Sequence, residues 1–157
     1  MGEKASIFQG VQIGIQTVAG TAVPANKKLL ASSVTPGVGL EADSFRPDGN
    51  KYPSFVTLNK DWSTVDIKGK NTYNEVLYLL SSLLSEPIPT QQGATTAYKW
   101  IFGSNISAED PGKLLTVEQG DANSAWRAKD VRVSGLTFTF NRKEVSISGA
   151  GIGGPLE

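Results

Sequence analysis

The 157-residue chain contains no cysteine and no histidine, and only one methionine. Without cysteine there is no disulfide framework, no thiolate-ligated zinc, no iron–sulfur cluster and no thiol nucleophile; without histidine the commonest general base and transition-metal ligand is missing. A Ser–His–Asp triad, a Cys–His dyad and a two-histidine metal site therefore cannot be written with these residues. Carboxylate pairs, lysine and tyrosine are the remaining catalytic groups, and the expectation is a non-enzyme that needs no cofactor and no metal. A surplus of either charge is also lacking: 15 basic residues balance 15 acidic ones. Neutralising phosphates calls for an excess of lysine and arginine, so a generic nucleic-acid binder is disfavoured. No apolar run approaches the ~20 residues that a membrane-spanning helix requires.

What the chain does have is alternation. Ile7, Val11, Ile13 and Ile15 share one parity, which reads as a strand or an extended arm within residues 1–27. Small residues and Pro24 make 17–26 a loop that leads to a strand around 28–34. Residues 43–61 carry Pro47, Asp48-Gly49-Asn50 and Pro53, so they form a hairpin or one long loop. Phe45, Tyr52 and Phe55 in this stretch need a cover, supplied by a partner or by the domain itself. Alternation returns at 62–69, then gives way to a three- and four-residue spacing at Tyr73, Val76, Leu77, Leu80, Leu83 and Leu84. This predicts a helix over about 73–85, with Thr72 and Glu75 spaced as a capping box and Pro87 and Pro89 beyond its end.

Further strands are expected at 96–102 and 114–119, with a turn at Asp110-Pro111-Gly112 between them. Val131 and Val133 share one parity whereas Leu136, Phe138 and Phe140 share the other, so the strand should bulge or bend at Gly135. A short connection at 141–144 then returns the chain through Val145 and Ile147. The sum is one mainly β domain over 1–154, an antiparallel sandwich or partly open barrel of about seven strands with one flanking helix. Residues 155–157 read as an appended tail.

Other motifs carry weaker chemistry. The glycine run 149–154 lacks the following helix that a phosphate loop needs, and reads as a flexible terminus or a broken edge strand. Glu109 with Asp110, Glu41 with Asp43, and Asp61 with Asp66 are the acidic pairs from which a carboxylate-dependent hydrolase would be built, provided one pair converges across a cleft. Asp48-Gly49-Asn50 offers calcium-type ligands without the spacing of a calcium loop and reads as a turn. Arg142 and Lys143, with Arg127, Lys129 and Arg132, read as a solvated strand face because Asp130 and Glu144 interrupt them. Trp62, Trp100 and Trp126 are expected in the core; exposed, they would instead make a platform for a carbohydrate-binding or adhesin-like module.

The segment Gly14-Ile15-Gln16-Thr17-Val18-Ala19-Gly20-Thr21-Ala22-Val23-Pro24 resembles the opening of tail tube proteins of long-tailed bacteriophages and prophages, which typically begin with a Gly-x-x-Thr-x-x-Gly-Thr-Ala-Val-Pro-like stretch. The later order is similar as well: a strand through 62–69, a helix from Tyr73, an aromatic strand at 98–102, and 133–140 leading into 145–149. The resemblance implies a structural protein of the virion tail, assembled in the bacterial cytoplasm. It would form hexameric or pseudo-hexameric rings that stack into a hollow tube, with tape-measure and tail terminator proteins as partners and DNA only in transit. A lumen that conducts DNA should be neutral or acidic, since tight phosphate contacts would oppose sliding. Ile7, Val11 and Ile13 of the arm and Phe45, Arg46, Tyr52 and Phe55 of the 43–61 segment are the candidate contacts between copies.

Overall fold

The computed structural model describes residues 10–103, 112–121 and 124–157. Its strands are β1 (Gly10–Ile15), β2 (Lys27–Lys28), β3 (Ser32–Phe45), β4 (Phe55–Lys70), β5 (Thr90–Gln91), β6 (Tyr98–Lys99), β7 (Leu115–Gly120), β8 (Ala125–Phe140) and β9 (Val145–Gly153), with the helix α1 (Tyr73–Leu83) after β4. Seven strands join in the order β2-β1-β7-β8-β9-β4-β3, all neighbours antiparallel, and β5 pairs with β6 as a separate small ladder. The fold is mainly β with one flanking helix, as expected, and the sheet does not close into a barrel.

The long strand β8 serves two neighbours in turn. Its first half pairs with β7 and its second half with β9. Register shifts opposite Leu115/Val117 and between Val133 and Gly135 bend it, the second at the change of parity read from the sequence. The two halves of the sheet thus face each other across one core: Ile13, Leu115 and Val117 from one side, Val34, Val65, Ile67 and Ile147 from the other. α1 adds Val76 and Leu79 to it.

The helix is where it was expected but turned differently. Tyr73, placed on the apolar stripe, is 91% exposed, whereas Glu75, Ser81 and Ser82 are buried. Their burial has a polar purpose. The Ser82 hydroxyl accepts the Val133 N–H at 3.1 Å, and the Ser81 carbonyl accepts the Lys113 N–H at 2.9 Å. The capping box does not form: Thr72 makes no side-chain cap bond, and the Glu75 carboxylate turns away from its own helix to the N–H groups of Leu30, Ala31 and Ser32, at 2.8 to 3.0 Å, and to the Ser32 hydroxyl. Leu30 and Ala31 lie in the break between β2 and β3 and Ser32 opens β3, where the sequence predicts one strand around 28–34.

Three other expectations are corrected. The glycine run is not a loose terminus: β9 continues to Gly153 between β8 and β4. Residues 96–102 shrink to the two-residue β6, because this segment finds only β5 as a neighbour. The final residues are part of the fold, with Leu156 bridged to Ala128 and packed against the core, and the Glu157 and Arg127 backbones exchanging two hydrogen bonds. The turn expected at 110–112 falls mostly outside the described residues.

The small-residue loop 16–26 is clasped rather than loose. Buried Gln16 donates to the Thr21 carbonyl and accepts the Asp130 N–H, both at 2.9 Å; Asp130 in turn accepts the Gly20 N–H at 2.7 Å. Thr116 accepts the Val23 N–H at 3.2 Å. Asp130 holds a left-handed backbone at φ 53, a conformation that short polar side chains tolerate and others resist. A Gln16→Ala variant, which leaves the Asp130 N–H without its acceptor, is expected to lower stability by about 1–2 kcal/mol in urea denaturation.

Candidate assembly surface

β3 and β4 form a long hairpin whose outer half carries no buried side chain. Pairing runs from Ser32↔Gly69 to Phe45↔Phe55, so only residues 46–54 are a loop, and most of the 43–61 segment is regular ladder. At the base, Val34, Val65 and Ile67 point into the core. Side chains alternate along a strand, so Val38 and Leu40 continue the face of Val34 and Pro36. A bulge at Asn59 shifts the register between Glu41 and Ala42; beyond it Ala42 faces Leu58 and Ser44 faces Val56 on that same side. The core-facing surface therefore extends past the end of the core for about 20 Å. Leu40 is 61% and Val56 65% exposed.

The opposite face of the hairpin carries local cross-strand pairs but is also exposed. Phe45 stands across from Phe55, the Asn59 amide donates to Asp43 at 2.6 Å, and the Trp62 indole lies over Gly39, where any side chain on residue 39 would collide with it. At the tip, Gly49 takes the left-handed φ of 87° and the Asn50 N–H reaches the Pro47 carbonyl at 3.2 Å, so Asp48-Gly49-Asn50 is a turn.

Of the residues expected to meet another copy, Phe45, Tyr52 and Phe55 are exposed on the hairpin, and Arg46 lies at the end of the ladder in the tip loop. Ile13 is fully buried, so its side chain holds β1 to its own domain and is not available between copies, while Val11 is half-buried and packs against the core. Ile7 lies outside the described residues. Val38, Leu40, Val56 and Leu58 are the surface residues that the sequence reading missed. Their alternation was visible, but the end of the core that would cover them was not.

A second feature lies beside α1. A groove of about 390 Å³ is lined by Leu77 and Tyr78 of the helix, Pro87 and Pro89 after it, Trp100, and Ile15 at the end of β1, with Lys27 and Glu86 among its polar residues. No tryptophan is in the core: Trp100 and Trp126 are largely exposed and Trp62 is half-buried on the outer face of the hairpin.

The outer face of β3, β4, β9 and the second half of β8 is hydroxyl-rich. One row across it reads Ser33, Lys68, Ser148, Thr137, and the next reads Thr35, Asp66, Ala150. Three of the basic residues nearby are matched by acids: Lys70 with Glu144 and Arg127 with Glu118 at 2.8 Å, and Lys129 with Glu157. Among the described residues there is no cluster of acidic side chains able to hold a metal ion, and no helix is long and apolar enough to cross a membrane. Asp61 lies on the inner face of β4 and Asp66 on the outer, so that pair does not converge; Glu109 and Asp110 lie outside the described residues. No protein-family model matches the chain, and no curated protein is detectably similar to it.

Proposed function

We propose that this protein is a non-catalytic structural subunit of a bacteriophage tail tube, one that self-assembles into stacked rings around a channel for DNA. The observation that carries the reading is the protruding hairpin with its uncovered aliphatic face. A two-stranded ribbon is marginal alone in water, and an exposed, flat, apolar strand is an aggregation hazard unless a partner covers it. Monomeric proteins rarely expose such a contiguous patch. The order of the loop 14–24, the helix and the final hairpin, similar to that of tail tube proteins, supports the same reading.

The hydroxyl-rich outer face suits a channel wall. Serine and threonine hydroxyls carry no net charge, and Asp66 and Lys68 offset each other, so a DNA backbone passing this surface would meet no basic trap. Exposed Trp100 and Trp126 favour a second reading, a carbohydrate-binding module.

Negative-stain electron microscopy over a concentration series, with light scattering for mass, separates the two. Rings or hollow tubes are the expected result. Replacing the 46–54 tip by a short turn should leave a folded protein that no longer stacks, with unchanged circular dichroism. Full-length tubes from that variant would remove the tip from the stacking contact. A strict monomer at every concentration that binds glycans on an array would overturn the tube reading in favour of the second.

A further inference from the structure

The hairpin and the groove beside α1 are complementary, and we propose that they bind each other between copies of this chain, the aliphatic face of one hairpin seated in the groove of the next molecule. This rests on the assembly reading and sharpens it by naming the receptor. The two patches differ in kind. One is a ridge of branched aliphatic side chains, Val38, Leu40, Val56 and Leu58; the other is a concave surface of proline and aromatic rings around Trp100. Aromatic anchors in a concave apolar site are the usual energetic centre of a protein interface.

Within one molecule the two patches are separate: the groove is lined by β1, β2, α1 and the segment after it, with nothing from β3 or β4. Charge agrees with the pairing. Asp61 stands across from Leu40 on the aliphatic face, and Lys27 stands at the groove; neither takes part in an ion pair among the described residues. Unless two molecules exchange hairpins reciprocally about a two-fold axis, a contact between two different patches leaves a free hairpin and a free groove at the ends of a dimer. It therefore propagates into a ring or a filament instead of stopping at two.

The absence of cysteine gives a clean test. Leu58→Cys and Trp100→Cys proteins are prepared separately, mixed in equal amounts and treated with a short bismaleimide; Leu77→Cys serves as a second groove variant in case the loss of Trp100 weakens binding. The expected result is a mixed cross-linked dimer, identified by mass spectrometry of the joined peptides and far more abundant than the product of either protein alone. Lys27→Glu should lower its yield several-fold and Asp61→Lys should restore it. Absence of the mixed product with both groove variants, or a Leu58→Cys self-dimer as the main species, would overturn the proposal. Hollow tubes without the mixed cross-link would sink this contact and leave the tube reading standing. The cross-link in particles with no channel would keep the contact and remove the tube.

Discussion

A Glu75→Gln variant is expected to lose about 2–3 kcal/mol of folding free energy at neutral pH, with a deficit that narrows as the pH falls. Glu75 is the only buried acidic or basic side chain among the described residues. Burial pushes its carboxyl up, but the Ser32 hydroxyl and the N–H groups of Leu30, Ala31 and Ser32 outweigh that and hold it below the ordinary glutamate value of 4.5. Bonds to an ionised acceptor are the strong ones, and glutamine offers one neutral carbonyl in place of two charged oxygens. Its amide would also turn a donor toward amides that have nothing to accept with.

The sign of the pH effect follows from the lowered value. A carboxyl that binds its proton less readily folded than unfolded contributes stability that is fully present above 4.5 and is lost as pH falls through the folded value. Urea midpoints of the wild type and of Glu75→Gln should therefore converge in acid, because the wild type gives up what the variant never had. Parallel midpoints across the acid range would show that the carboxylate contributes no charge-dependent stability. The consequence reaches the assembly surface: Glu75 fixes the start of β3, and β3 is half of the hairpin.

How far such features are legible in sequence differs by residue. The alternation of Val65 with Ile67 and of Val145 with Ile147 identified strands because burial on one side imposes a period of two. The parity change around Gly135 located the bend of β8. Thr72 and Glu75, in contrast, matched a local motif that does not form: three amides at the distant start of β3 take the Glu75 carboxylate, no local pattern records them, and the Thr72 hydroxyl is left buried without a hydrogen-bond partner. The tryptophans were misplaced for a related reason: hydrophobicity says that an indole prefers cover, while the sequence does not say where cover ends. That is also why Phe45 and Phe55 were recognised beside a turn, but Leu40 and Leu58, inside regular strands, were not. Their covering layer is set by the length of β7, β8 and α1, elements far away along the chain.

The glycine run offers the second large effect. Gly151→Ala is expected to destabilise the protein by about 3 kcal/mol or more, and Gly151→Val to prevent folding, whereas Gly135→Ala on the adjoining strand should stay within about 0.5 kcal/mol of wild type. A Cβ on Gly151 would stand 2.7 Å from the Arg132 carbonyl oxygen and 3.3 Å from its carbon, both backbone atoms of the paired strand β8. They cannot give way without opening the ladder on which Val133 and Val65 are held in register with Gly151. A Cβ on Gly135 would meet nothing within 4 Å. Glycine ordinarily weakens a strand, through entropy and through the missing side chain. In the centre of this sheet it is the residue that lets β8 bend close across β9, and a run that looked like a frayed end holds the strand on which both halves of the sandwich depend. Comparable denaturation midpoints for Gly151→Ala and Gly135→Ala would refute that account.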